Sequence, residues 1–189
     1  MKSYLNKINQ FILGLDGETR SAFEELTTSK IFCKGEYLLR QDEICRHSFF
    51  IVDGIARKFY LTEDGREITT ELYFADDLAV SFQSYTLQKP SREFIQTLEK
   101  TSVTATDHQA FQQLKTDFPK LLELDLMMTE YYAMWLEERL LQFHTLDARE
   151  RYRQLVKEQP HFVQKVQLTH IASYLGVSLE TLSRIRAKI

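Results

Sequence analysis

The chain has 189 residues, 43% of them apolar and 12% aromatic, with 24 basic and 27 acidic side chains for a net charge of −3. That length suits one or two domains with a sizeable core, and the apolar content excludes a disordered chain. No apolar run approaches a membrane span and the N-terminus lacks a secretory layout, so the residues predict a cytoplasmic protein with no membrane partner.

Residues 4–26 read as helical, with Leu5, Ile8, Ile12, Leu15, Phe23 and Leu26 at helical spacing and a break near Gly14 and Gly17. From Lys30 to Thr106 the pattern changes to short β-rich runs: 30–34, 37–40, 48–52, 55–61, 68–73, 94–98 and 102–106. Lys34-Gly35, Asp53-Gly54 and Asp64-Gly65 separate them, and Asp-Gly between alternating strands is a strong hairpin signal. No helical crossover intervenes, so the runs predict an antiparallel β-roll or jelly roll in an α+β chain.

Residues 107–116 read as a short helix with Phe111 and Leu114 inward. Pro119 then opens a long one, proline being favoured in a first helical turn. From Phe118 to His144 it carries two apolar seams. Leu121, Leu124, Met128, Tyr131 and Trp135 form the first, and Leu122, Leu126, Ala133, Leu136, Leu140 and Phe143 the second. One helix of about 40 Å has more apolar surface than one small domain covers, so the seams predict a symmetric homodimer. The first seam is assigned to the dimer interface. A further helix capped by Thr145 or Asp147 runs to Glu158, with its arginines outward, and 162–166 reads as a short strand.

The last residues carry the most specific pattern. Leu168, Ile171, Ala172 and Leu175 mark one helix face, Gly176 sits where a tight turn needs positive φ, and Ser178 is placed to cap a second helix built on Leu182 and Ile185. This is a helix-turn-helix pattern. On the open face of its second helix, Glu180, Thr181, Ser183, Arg184, Arg186 and Lys188 can reach base edges and phosphates. An ordinary αα-hairpin would share the apolar spacing but has no use for so polar a face. Charge agrees: from Arg149 onward eight basic and three acidic residues give +5, leaving −8 elsewhere.

Little supports catalysis or a cofactor. The histidines His47, His108, His144, His161 and His170 form no metal-ligand spacing, and no phosphate loop, Ser/His/Asp set or Cys-x-x-Cys occurs. Cys33 and Cys45 are too few for a disulfide framework or an iron–sulfur site. No metal and no resident cofactor are predicted, and a jelly-roll metalloenzyme lacks its ligands.

With these residues in hand, the chain resembles the Crp/Fnr family of bacterial transcription regulators over nearly its full length. Lys34-Gly-Glu-Tyr-Leu-Leu-Arg-Gln-Asp-Glu43 and Phe50-Ile-Val-Asp-Gly54 are similar to that family's effector domain, and Gly176-Val-Ser-Leu-Glu-Thr-Leu-Ser-Arg-Ile185 to its DNA-reading motif. The resemblance implies a β-roll sensor over 1–117, a dimerisation helix over 118–144 and a DNA-binding domain over 145–189. It implies double-stranded palindromic DNA, a second copy and RNA polymerase as partners. Glu180 and Arg184 would read bases, Ser178, Thr181 and Arg186 would hold phosphates, and Leu179 replaces a basic residue of many relatives. The sequence stops at Ile189, so no C-terminal wing is expected and the DNA contact should be weaker. In the effector pocket, Val80-Ser81, followed by Phe82, stands where cyclic-nucleotide binders carry Gly-Glu, and Ser91-Arg92 where they carry Arg-Ser. Without the acid the ribose hydroxyl goes unbonded, so a cyclic nucleotide is not expected and the effector is unassigned. The alternative is a small-molecule- or protein-binding module whose helix-turn-helix is vestigial.

Overall fold

The computed structural model describes residues 2–160 and 162–188. It divides into two compact units, Met1–Thr28 with Thr106–Leu146, and Ser29–Ala105 with Asp147–Ile189.

The first unit is helical: α1 (Lys2–Leu13), α2 (Gly17–Leu26), α4 (His108–Asp117) and α5 (Pro119–Thr145). Each start has a local cause. Asp16 Oδ1 accepts from Thr19 N at 2.9 Å to cap α2, Asp107 Oδ1 accepts from Ala110 N at 2.9 Å to cap α4, and Pro119 opens α5. Ile8, Leu15, Phe111, Leu121, Leu124 and Met127 form the buried core, with Phe23 and Phe111 edge to face at 5.9 Å.

This core takes up two residues of the expected dimer seam. Leu121 and Leu124 are buried in their own chain, with Met128 and Tyr131 packed beside them. Leu121 and Leu124 therefore have no face left for a second copy, whereas Met128 and Tyr131 are half-buried. Trp135 lies further along α5, half-buried and stacked on Tyr132 at 5.9 Å. The second seam is the open one: Leu122, Leu126, Leu136, Leu140 and Phe143 are 42–61% exposed.

The second unit holds two four-stranded sheets and the C-terminal helices. One sheet has the order β1-β8-β3-β6 and the other β2-β7-β4-β5. Their strands are β1 (Thr27–Phe32), β2 (Tyr37–Leu39), β3 (His47–Asp53), β4 (Ala56–Leu61), β5 (Glu67–Tyr73), β6 (Leu78–Ala79), β7 (Phe94–Thr97) and β8 (Thr101–Asp107). This is the antiparallel sandwich expected from the spacing. Two elements escaped the pattern: the two-residue β6, and α3 (Phe82–Leu87). Leu39, Phe49, Ile51, Ile95 and Val103 are among the side chains that fill the space between the sheets.

Gly54 sits in the turn between β3 and β4 with φ +108, and a Cβ there would lie 2.6 Å from Thr101 Oγ1 and 2.7 Å from Thr101 Cα. Only glycine fits, in conformation and in space.

Three helices follow, α6 (Ala148–Glu158), α7 (Phe162–Lys165) and α8 (Leu168–Leu175), then α9 (Leu179–Arg186). Asp147 caps α6 through a reciprocal box with Glu150, both bonds 2.8 Å, whereas the Thr145 hydroxyl bonds back to Leu141 O within α5. The strand expected at 162–166 is instead the helical turn α7. Val163 and Val166, three residues apart, both join the same apolar cluster, which a helical turn allows and strand alternation would split.

Candidate DNA-reading surface and sensor interior

The helix-turn-helix forms as its residues require. Gly176 has φ 70 and ψ 35, and Gly176 N donates to Ser173 O and Val177 N to Ala172 O, each at 3.0 Å. These are the paired bonds of a Schellman motif. Ser178 Oγ accepts from Thr181 N at 3.2 Å and caps α9. Ile171, Ala172, Leu175 and Leu182 are buried, so the two helices share one apolar seam.

The opposite face is open. Ser178, Leu179, Glu180, Ser183, Arg184, Arg186 and Lys188 are exposed, and Thr181 is half-buried. Glu180 and Arg184 are one turn apart on it. The Glu180 carboxyl is held below its usual range, chiefly by the backbone N–H at the helix start, then by the Ser178 hydroxyl, with Arg184 adding attraction. An ionised carboxylate beside a guanidinium is the charge state in which the pair can accept from one base and donate to another. Ser178 and Thr181 also meet each other at the helix start, their hydroxyls 3.2 Å apart.

Two arginines differ from expectation. Arg149 and Arg151 are half-buried, not outward. Arg149 donates to Lys188 O at 3.2 Å and Arg151 to Leu175 O at 3.0 Å. Each guanidinium satisfies a carbonyl that a helix end leaves unpaired. Part of the positive charge counted for this segment therefore braces the motif; Arg153 on the same helix remains exposed.

The sensor interior is occupied by the protein itself. Val80, Ser81 and Ser91 are buried, whereas Phe82 and Arg92 face outward. Next to them lies a charge network that the sequence did not reveal. The Lys58 side chain is 3% exposed; its ammonium pairs with Glu71, lies 3.9 Å from Glu93 Oε1 and donates to Val80 O at 3.4 Å. Tyr73 donates its hydroxyl to Glu71 Oε2 at 2.8 Å, and Ser81 to Glu93 Oε2 at 2.7 Å. Ser91 Oγ lies 3.1 Å from Ser81 Oγ and accepts from Glu93 N at 3.0 Å. Of the expected effector positions, Ser81 and Ser91 thus spend their hydroxyls on each other and on Glu93.

Among the described residues no three His, Cys, Asp or Glu side chains come together to hold a metal; His161 lies outside those residues. Both cysteines are free. Cys33 is exposed, and burial pushes the Cys45 thiol pKa up. No helix among the described residues is long and apolar enough to cross a membrane.

The chain thus holds a β-sandwich, a long helix and a terminal helix-turn-helix. Residues 29–117 match the cyclic nucleotide-binding domain family. The chain is 29% identical over 164 residues to the fumarate and nitrate reduction regulatory protein of Vibrio cholerae, which covers 80% of this chain and 64% of that relative. It therefore spans a little under two thirds of the length of that relative. Among solved structures, FixK2 from Bradyrhizobium japonicum shares the fold at TM-score 0.75 and 20% identity, covering 86% of this chain and 83% of that one. The c-di-GMP responsive global regulator CLP of Xanthomonas campestris does so at TM-score 0.71 and 13% identity, covering 92% and 91%. In sequence the chain is similar to these regulators, and it shares its fold at TM-score 0.72 and 15% identity with a putative transcriptional regulator of the Crp/Fnr family from Eubacterium rectale, covering 92% of this chain and 83% of that one. Its curated relatives are named as regulators, not enzymes.

Proposed function

We propose that this protein is a cytoplasmic, homodimeric transcription regulator that reads double-stranded DNA through α9 and whose sensor takes no cyclic nucleotide. The open Glu180–Arg184 face on a capped second helix carries the reading. Arg184 can bond a guanine edge bidentately, and Glu180 can accept from a cytosine amine. Leu179, 39% exposed at the start of α9, would meet a thymine methyl.

The second seam of α5 supports the dimer. Leu126, Ala133 and Leu140 recur every seven residues, as do Leu122, Leu136 and Phe143 around Thr129. That is a coiled-coil repeat, and it is exposed. Two copies joined there would carry two reading heads, suiting a palindrome with half-sites about 34 Å apart. RNA polymerase is the further partner such a regulator would contact.

The interior network argues against a cyclic nucleotide. One ammonium already serves two carboxylates there, so a phosphate would bring a third negative charge beside Glu71 and Glu93. Neither Val80 nor Ser81 brings a carboxylate for a ribose, and the nearby Glu93 already accepts from Ser81.

The experiment is selection of a binding site from a random-sequence duplex pool, followed by titration with and without salt. We expect a palindromic site, strong salt dependence, and a loss of about 1–3 kcal/mol with relaxed selectivity at one base pair for Arg184→Ala. Unchanged affinity and selectivity in Arg184→Ala would refute the assignment of the base reader.

A further inference from the structure

We propose that Arg57 is a positioning residue for the reading head: from the outer face of the sensor sheet it holds α8, and through α8 the recognition helix α9, in one orientation. This rests on the DNA-reading function proposed above.

Arg57 is 2% exposed on β4, yet it points away from the sandwich interior and toward the helix-turn-helix. Its guanidinium lies 2.9 Å from His170 Nδ1 on α8, donates to Gln96 Oε1 on β7 at 2.9 Å, and pairs with Glu67 Oε2 on β5 at 2.6 Å. Its plane rests on the Phe59 ring at 3.9 Å. Stacking, ion pair and two fork bonds fix both the position and the tilt of the group, which a lysine could not do.

A second contact lies on the same helix. β5 is an edge strand of its sheet. Thr69 N on it donates to Ser173 Oγ at 2.8 Å, and that hydroxyl lies 3.2 Å from Glu67 O. Strand edges left open expose unpaired amides; here α8 supplies the partner. Between these polar contacts Ile55 and Leu72 of the sensor share one buried cluster with Ile171 and Leu175 of α8.

Apolar packing alone would hold α8 on the sheet without fixing its rotation. The arginine fork and the serine bond add direction at two points, His170 and Ser173, three residues apart along one helix face. Because Ala172, Leu175 and Leu182 lock α9 onto α8, orienting one helix orients the other.

The contact needs His170 in its neutral form. Arg57 donates to Nδ1, and a protonated ring has no lone pair to accept. The charged groups facing His170 are Arg57 from β4 and Glu67 from β5, with neutral Gln96 on β7. Burial first, then Arg57, push the ring pKa down to about 4 from 6.5, against the pull of Glu67. Docking is therefore fully supported above about pH 6.5 and loses that support as pH falls toward 4.

The test uses the full chain with spin labels on Cys33 and on an Ala187→Cys substitution, diluted with unlabelled protein so that only distances within one chain are read. Wild type should show one narrow distance at neutral pH that broadens as pH falls. Arg57→Ala should be broad throughout. His170→Asn, whose amide oxygen replaces Nδ1 as acceptor, should stay narrow and lose the pH dependence. Should Arg57→Ala fail to fold, His170→Leu on the surface of α8 takes its place. For the DNA site selected with wild type, the broad variant should bind roughly tenfold more weakly, and His170→Asn as wild type does. A narrow distance retained in Arg57→Ala or His170→Leu would overturn the proposal, as would a broad distance with unchanged or tighter DNA binding. If wild type selects no duplex, the DNA-reading function fails, and with it Arg57's part in DNA reading; the distances then judge the docking contact alone.

Discussion

Lys58 and Arg57 are neighbours on β4 that serve opposite faces of one sheet. Lys58 turns inward to Glu71 and Glu93, where the family resemblance places an effector, and Arg57 turns outward to Glu67 and to His170 of the helix-turn-helix. Side-chain alternation in a strand makes this pairing unavoidable. One strand thus carries both the buried cation inside the sandwich and the cation that meets α8.

The inward pair should behave as a coupled unit. Lys58→Met leaves Glu71 buried, its side chain 8% exposed, with no ammonium beside it. We expect a loss of about 3–5 kcal/mol in urea unfolding, because an unpaired buried charge is costly. Lys58→Met combined with Glu71→Gln removes both charges and keeps an acceptor for Tyr73, so it should recover more than half of that loss. Strictly additive losses in the double variant would show that the two side chains are not coupled.

How much of this was legible depended on how local the cause was. Gly176, Ser178 and the spacing of Ile171, Leu175 and Leu182 specify their turn and cap within a dozen residues, and the structure has each in its expected place. The Lys58–Glu71 pair was hidden by geometry. Counting pairs back from the Asp64-Gly65 turn matches Leu61 with Glu67 and Phe59 with Thr69, but the register shifts between Phe59 and Lys58. A β-bulge of this kind changes which residues face each other, and no pattern in the sequence announces it. The α5 seams are a different case. Periodicity shows that two seams exist; which one the chain covers depends on the packing of Ile8 from α1 and Phe111 from α4, which periodicity within α5 does not carry.

The exposed seam gives a direct prediction about assembly. Leu140 is 61% exposed in the single chain and would be covered in a dimer along α5. Leu140→Glu should leave the fold intact, since the side chain contributes nothing to the chain's own core, yet place two carboxylates opposite each other in the dimer. Each apolar side chain lost from such a seam removes roughly 1.5–3 kcal/mol. Sedimentation equilibrium should report a dimer for wild type and a monomer for Leu140→Glu. Leu121→Glu, by contrast, should unfold the helical unit. A dimer that survives Leu140→Glu would place the interface elsewhere.

Gly54 tests the sandwich. Its φ of +108 is strained for any L side chain, and its Cβ would meet Thr101 backbone and side chain at under 3.0 Å. Gly54→Ala should therefore cost about 2–4 kcal/mol, combining backbone strain with displaced packing. Gly65→Ala also has positive φ but meets nothing within 4 Å, so its loss should stay near the strain alone, about 1–2 kcal/mol. Equal losses at the two sites in urea denaturation would show that the approach of Thr101 is not the deciding contact.

Asp77 makes stability depend on pH in the less common direction. Its carboxyl lies in the turn after β5 and accepts from Phe74 N at 2.8 Å. Burial first, opposed by the Phe74 bond and helped by the charges of Asp76 and Glu71, raises its pKa to about 6 from 3.8. The folded chain therefore binds this proton more tightly than the unfolded chain does. The group's stabilising contribution is complete below about pH 4 and is lost as pH rises through 6. Asp77→Asn keeps an oxygen for Phe74 N and cannot ionise. It should match wild type near pH 4 and exceed it by about 1–3 kcal/mol at pH 8. Urea midpoints of both proteins across that range decide the matter: a constant difference would mean that Asp77 is ionised throughout and that its burial does not control its charge.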